Sequence, residues 1–532
     1  MPKQLLAPIE DIPLSLSEQA DLRRQLVPLM QSASTKTELG QFMTPAPVAD
    51  FMASMFGLIH ADVVSLLDPG AGVGSLTAAF VQRICRQKVR PRQLEITVCE
   101  VDPGLRSALE ATLRDCVQSG AAHGINVSYQ LQTTDFIERF SVHAGRGLFS
   151  DHVAFTHIIT NPPYKKIGSQ SAHRKLLRSV GIEATNLYAG FVALAIQLLA
   201  PNGELVAITP RSFCNGPYFL PFRRLLLNNM ALRRIHVFGA RDIAFKDDNV
   251  LQENIIFRSV KSAQPSKILL SSSHGVELNE IDQRWVPAAE VFQPDDPNLF
   301  IYIPVTETDA ALIRRMKVLK HSLDSLGISV STGPVVEFRH KPHIHREPRT
   351  FSVPLIYPAH FENGFVRWPK VKGRKPNAID DSDETRKWLM PQGFYTLTRR
   401  FSSKEERRRI FAAVYDLADV SAEWVGFENH LNVFHIDGAG LPSSIARGLA
   451  LFLNSTTVDR YFRLYNGHTQ VNATDLRVLP FPSLKTLETL GAQLIEDKLP
   501  SQQAIDAMID AIVFGTSEPS PVNAKNHKEL LA

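Results

Sequence analysis

Cysteine is scarce: Cys85, Cys99, Cys116 and Cys214 are scattered through 532 residues, with no C-x-x-C pair among them. That excludes a disulfide scaffold and points to a reduced, cytoplasmic setting. No apolar run reaches the length of a membrane span. The longest, "YAGFVALAIQLLA" at 188–200, is short and carries Gln197, so it reads as a buried helix. The opening "MPKQLLAPIEDIPLS" has neither the charged start nor the apolar core of a secretory signal. There is no P-loop, no G-x-G-x-x-G dinucleotide turn, no Pro-Cys dipeptide and no internal repeat.

What remains is ordinary in bulk, with 44% hydrophobic and 21% charged residues, and long enough for two or three domains. The charge is unevenly placed. Residues 331–410 hold 17 Lys and Arg against 9 Asp and Glu, a net +8, so the rest of a +4 chain sums to −4. With its interleaved aromatics and histidines this block suits a polyanion. A helix is predicted over 14–33, with Ser17 as its cap and Glu18 in its first turn. From 36 to about 270 short apolar runs alternate with amphipathic stretches such as "SLTAAFVQRICRQ", which predicts a parallel α/β sheet covered on both faces. "VVSLLD" (63–68), "LEITVCE" (94–100), "THIIT" (156–160), "GELVAITP" (203–210) and "RRIHVF" (233–238) are the expected strands. The Pro-rich stretch 285–304 marks a boundary, giving an N-terminal helical arm (1–35), an α/β domain (36–284), a mixed α+β domain (285–515) and a disordered tail (516–532).

In an open α/β sheet ligands bind beyond the carboxyl ends of the strands. The first expected strand runs into "DPGAGVGS", where Gly70, Gly72 and Gly74 allow close backbone approach after Asp68. The second ends at Glu100, placed to take both hydroxyls of a ribose; an acid capping the next helix is the plain alternative. "TTDF" supplies Asp135 and Phe136, a carboxylate for a purine amino group beside a ring for its face. The strand "THIIT" ends on Asn161-Pro162-Pro163-Tyr164, and upstream lies "TELGQFMTPAPVADFM" (37–52). Each feature alone is weak, but their order is specific.

In that order they resemble the gamma class of amino-group DNA methyltransferases, the TaqI-like N6-adenine enzymes, over roughly residues 36–260 in motif detail. The chain departs at Asp68, where the TaqI-like pattern has glutamate. The resemblance implies a Rossmann-like methyltransferase domain using S-adenosyl-L-methionine, followed by a target-recognition domain. It places Thr44 at the cofactor's methionine end, Asp68 and the backbone near Gly70 and Gly72 at its amino and carboxylate groups, and Glu100 at its ribose. Val101, Asp135, Phe136 and Pro163 would enclose its adenine and the transfer site. Asn161 and the Pro162 carbonyl would accept the hydrogens of the target amino group, while Pro162 and Pro163 fix φ and so aim that carbonyl. Tyr164 would stack on a flipped base, with Phe245 covering its other face.

The implied partner is double-stranded DNA, with a cognate restriction endonuclease as functional partner, no membrane, and a monomeric, cytoplasmic enzyme acting at the nucleoid. A cytosine C5 enzyme would need a thiolate, typically in Pro-Cys, which is absent. A protein-glutamine methyltransferase also carries Asn-Pro-Pro-Tyr, and a ribosomal RNA adenine enzyme is a third reading. The upstream Thr-Pro and the long basic half favour DNA. A fused nuclease has no room before Gly40. Length and layout are similar to those of modification enzymes paired with XhoI-type nucleases, making CTCGAG the expected site. His343 and His345 alternate as on one strand face, but no cysteine or nearby carboxylate set completes a metal site, so none is expected.

Overall fold

The computed structural model describes residues 14–27, 43–144, 154–238, 253–273, 278, 280–402, 406–416, 420–466 and 470–515. The chain divides into two compact units, Met1–Val305 and Thr306–Ala532.

The first unit is built on one sheet. Strands β1 (Val63–Pro69), β2 (Gln93–Cys99), β3 (Asn126–Gln132), β4 (Phe155–Thr160) and β5 (Leu199–Pro210) pair in parallel in the order β3–β2–β1–β4–β5. Beyond β5 the order runs β7 (Asn254–Val260), β6 (Ala231–Phe238), β8 (Lys267–Ser273) and β9 (Ile281–Pro287). The expected parallel sheet is therefore mixed, because β7 is antiparallel to both β5 and β6, and β9 is antiparallel to β8. Strands β6 and β7 are consecutive in the chain and adjacent in the sheet, as in an antiparallel pair rather than a crossover unit.

Both faces are covered. Leu66, Ile159, Val206 and Ile208 pack with the helices Ala46–Ser54, Ser75–Cys85 and Arg106–Ala122. The alternate residues Leu67, Ile158, Leu205 and Ala207 pack with the helices Phe136–Ala144, Leu187–Leu198 and Leu220–Asn229. Burial on two faces is why these strands read as unbroken apolar runs. The run at 188–200 is a buried helix as far as Leu198, with Gln197 exposed, and Leu199 and Ala200 already belong to β5.

Two boundaries differ from expectation. The N-terminal helix spans Leu16–Leu26 and is capped by Ser15, not Ser17. Ser15 and Glu18 form a reciprocal capping box, whereas the Ser17 hydroxyl is buried, donating to Asp50 Oδ2 (2.9 Å) and accepting from Gln82 Nε2 (3.1 Å). The domain break expected at 284/285 falls inside β9, whose Val286 is in the core. The chain stays with this unit because Ile301 N–H reaches Cys214 O (3.0 Å) and Ile301 and Ile303 are buried.

The second unit holds two sheets among its described residues. Its strands are β10 (Ser329–Thr332), β11 (Ile344–His345), β12 (Ser352–Ile356), β13 (Phe361–Glu362), β14 (Phe365–Val366) and β15 (Ala378–Asp380). They continue with β16 (Leu389–Pro391), β17 (Tyr395–Arg399), β18 (Ala412–Tyr415), β19 (Trp424–Phe427) and β20 (Leu431–His435). One sheet runs β10–β20–β17–β18–β14–β13 and the other β11–β15–β12–β19–β16, and helices follow from Ser443. His343 and His345 do meet carboxylates here. The β11–β15 pairing brings Asp380 to both rings, and Glu384 lies 3.6 Å from His343. Among the described residues no group of three His, Cys, Asp or Glu side chains could hold a metal ion, and no helix is long and apolar enough to cross a membrane. The expected tail, 516–532, lies outside the described residues.

Gly74 ends the glycine turn at φ 86°, and a Cβ there would meet Leu109 Cδ1 and Thr112 Cγ2 at 3.0 Å. Gly74→Ala is expected to lower unfolding free energy by about 1–3 kcal/mol. Gly124→Ala, with φ 77° but open space around it, should cost less. Chemical denaturation of both variants checks the contrast.

Candidate active site

The carboxyl ends of β1, β2 and β4 are fastened to one another before any side chain reaches a ligand. The N–H groups of Gly70 and Ala71 both donate to Cys99 O at 2.9 Å, and Thr160 Oγ1 donates to Pro69 O at 3.1 Å. Around these ends lies a cavity lined by Thr44, Gly70, Gly72, Glu100, Val101, Asp135, Phe136, Asn161 and Pro163, all anticipated from sequence. Asp68, Pro162 and Tyr164 sit behind or beside its wall, and Phe245 lies outside the described residues.

The acids differ in environment. Asp68 is fully buried; its Oδ2 accepts from Thr77 Oγ1 (2.8 Å), while its Oδ1 has no hydrogen-bond partner among the described residues. Burial pushes its carboxyl up to about 7, the Thr77 hydrogen bond opposing and the Glu100 charge adding to the rise. Glu100 accepts from Asp102 N and Gly72 N, each at 2.8 Å, so the second strand end grips the glycine turn. Its carboxyl is also raised, by burial, against those two backbone hydrogen bonds. Asp135 goes the other way. Burial works against its charge, but His173 and the N–H groups of Glu138 and Ile137 outweigh it and hold the carboxyl below its ordinary value.

At the fourth strand end, Asn161 Nδ2 donates to Thr44 Oγ1 at 3.1 Å across 117 residues of chain. This commits the nitrogen side of the amide to Thr44 and turns the oxygen elsewhere. The Tyr164 hydroxyl reaches Ile208 O (3.4 Å), and its half-buried ring stands edge-on to Tyr188, with centroids 6.2 Å apart.

Several lining residues were not anticipated. Phe191 packs against Phe136, with ring centroids 5.0 Å apart, and Leu105 and Leu187 add apolar wall. Ser75, the first residue of its helix, has a buried Oγ with no partner among the described residues. His173 lies 3.3 Å from Asp135 Oδ2. No local pattern marks a histidine on a polar helix; only the fold brings it to the cavity.

The comparisons with known proteins meet this geometry. A family model described as "Eco57I restriction-modification methylase" matches residues 111–244. The type II methyltransferase M.BsuBI of Bacillus subtilis is 43% identical over 90% of this chain and 95% of its own length. M.PstI of Providencia stuartii is 42% identical over 91% of this chain and 94% of its own. The chain belongs to the type II methyltransferases of restriction–modification systems. Its fold is also similar to that of the type IIL restriction-modification enzyme MmeI, solved in complex with DNA, with a TM-score of 0.52 at 12% identity over 97% of this chain and 76% of that one.

The methyl donor is therefore S-adenosylmethionine, and the cavity fits it. Glu100 on its wall suits the cofactor's ribose, the buried Ser75 hydroxyl adds a polar group, and Phe136, Val101, Leu105 and Phe191 give an apolar slot.

His173 is raised above the ordinary histidine value by its hydrogen bond to Asp135 and by that residue's charge, against burial. The ion pair is thus fully formed below the unfolded histidine value and is lost as pH climbs through the raised one. It is also lost in acid as Asp135 protonates. Titrating the imidazole by NMR should find His173 above a reference histidine, and Asp135→Asn should bring it down. No change in the variant would contradict the pairing.

Proposed function

We propose that the protein methylates N6 of adenine in double-stranded DNA, as the monomeric, cytoplasmic modification enzyme that protects host DNA from a cognate restriction endonuclease. The observation that carries this is the Asn161 amide, anchored by its nitrogen to Thr44 at the edge of the cofactor cavity.

Adenine N6 is a poor nucleophile because its lone pair is delocalised into the ring. The Asn161 oxygen and the Pro162 carbonyl accept its two hydrogens, drawing the nitrogen towards tetrahedral geometry and draining positive charge as the new bond forms. Pro162 and Pro163 keep that carbonyl from swinging. Tyr164 supports one face of the flipped base and Phe245 the other. When bound, S-adenosylmethionine would supply a sulfonium-activated methyl in line with N6, the S–C bond breaking as the N–C bond forms, with S-adenosylhomocysteine as leaving group and the amino proton passing to solvent. Asp68 and the glycine-turn backbone at Gly70 and Gly72 hold the cofactor's amino-acid end beside Thr44, and Glu100 holds its ribose. Val101, Asp135 and Phe136 hold its adenine, and His173 keeps Asp135 ionised and fixed. The second unit is the target-recognition domain, supported by the +8 balance of residues 331–410 and by the type II methyltransferase relatives that extend through it.

The direct test is incubation with labelled S-adenosylmethionine and mixed-sequence duplex, followed by digestion to nucleosides. Label is expected in N6-methyladenine. Label in a methylcytosine, in protein or in ribosomal RNA would overturn the reading, the last two favouring a glutamine or an RNA enzyme. Sequencing methylated adenines in an expressing host fixes the site, for which CTCGAG is the expectation from layout.

Asp68 adds a pH dependence. Its carboxyl is neutral below about 7, and a neutral acid offers a cofactor ammonium far less. Affinity for S-adenosylhomocysteine should fall as pH drops from 8 to 6, and Asp68→Asn should bind weakly with that dependence flattened. Calorimetry over this range checks it.

A further inference from the structure

Residues 346–351 and 370–376 of the second unit flank β11 and β15, and one buried amide ties them together. Asn377, 1% exposed, donates through Nδ2 to Arg346 O (3.0 Å) and Lys370 O (3.2 Å), while its Oδ1 accepts from Lys370 N (2.9 Å). His360 Nε2 meets the same Oδ1 at 3.1 Å, and Trp368 Nε1 donates to Asn377 O at 2.6 Å. Each loop is also closed on itself. Ser352 Oγ accepts from Arg349 N (2.7 Å) and donates to Arg349 O (2.9 Å), and Gly373 N donates to Lys370 O (3.0 Å). These are two rigid turns on one hub.

Their surfaces are unusual in combination. Phe351 is 81% exposed at the end of the first and Val371 70% exposed at the start of the second. Around them Arg346, Arg349, Lys372 and Arg374 are exposed or nearly so, and none is paired with a carboxylate among the described residues. By contrast, Lys370 and Lys375, in the second loop, are paired with Glu362 and Glu337. An exposed aromatic alone is common on protein surfaces. Two apolar tips on pre-ordered turns that carry four unpaired cations and one acid of their own, Glu347, with the neighbouring Asp381 paired to Arg386, describe a surface built for a polyanion with apolar recesses. A duplex offers that: phosphates for the cations, and a groove with thymine methyls and base steps for the tips.

We propose that these paired turns are a DNA-contacting element of the second unit, with Arg346, Arg349, Lys372 and Arg374 on phosphates and Phe351 and Val371 entering a groove. This rests on the reading of the substrate as duplex DNA. Asn377 is the positioning residue for both turns, acting through their backbones.

Fluorescence anisotropy of the full chain with a labelled duplex carrying its methylation site, at several salt concentrations, tests it. Arg346→Ala/Arg349→Ala and Lys372→Ala/Arg374→Ala should each weaken binding and make the log–log salt slope shallower by about 0.9 for every phosphate no longer neutralised. Phe351→Ala/Val371→Ala should weaken site-specific binding about tenfold with the slope unchanged. Ile495→Ala, also apolar and 85% exposed but outside the turns, should bind like wild type. S-adenosylhomocysteine affinity serves as a folding control and should stay constant throughout. If wild type binds and methylates duplex while the turn variants match it, the turns are not an interface and the proposed function stands. If wild type ignores duplex, the substrate reading itself fails. If the variants lose binding to phosphatidylserine vesicles but not to duplex, the surface serves a membrane and the proposal is overturned.

Discussion

The arrangement depends on the hydrogen bond from Asn161 Nδ2 to Thr44 Oγ1. An isolated asparagine at a strand end could present either side of its amide, since nitrogen and oxygen are nearly alike in shape and opposite in sense. With its nitrogen on Thr44 Oγ1, the amide turns its oxygen away from that residue, the orientation that the proposed role as an acceptor calls for. It also joins two segments that sequence leaves far apart: the Thr-Pro stretch at the helix Ala46–Ser54 and the Asn-Pro-Pro-Tyr that ends β4. Thr44 itself is 4% exposed, so its hydroxyl is held by its surroundings.

The ends of β1 and β2 are organised by buried acid. Asp68 and Glu100 both have their charged forms disfavoured by burial. The fold tolerates this because the glycine turn meets Glu100 through Gly72 N and meets β2 through Cys99 O. The same contacts that shape the cavity therefore also secure two strand ends. Asp135, kept ionised by His173, is the complementary case of an acid whose partner is already in place.

Much of this was legible in the sequence because strand ends are local. An apolar run stopping at an acid, at G-x-G-x-G or at Asn-Pro-Pro-Tyr needs only a few residues to read, and Glu100, Asp135 and Asn161 all line the cavity. What was not legible depends on distant partners. The reversal of β7 is a matter of pairing, not of propensity. Ser17 has the composition of a cap, but its hydroxyl is taken by Asp50 and Gln82 while Ser15 caps the helix. His173 carries no signal until the helix Ala172–Ser179 is placed beside Asp135, and His343 and His345 find Asp380 only through β11–β15 pairing. The Pro-rich stretch 285–304 read as a domain boundary, and instead it belongs to the first unit, whose core holds Ile301 and Ile303.

In the proposed function the Asn161 amide serves the chemistry of transfer and not the binding of cofactor. Comparing wild type with Asn161→Ala for single-turnover methylation of duplex DNA and for S-adenosylhomocysteine affinity tests it most directly. Methylation is expected to fall by at least about a hundredfold, with affinity changed by less than about threefold. Parallel loss of both would assign Asn161 to holding the site together, and retention of methylation would remove it from the reaction.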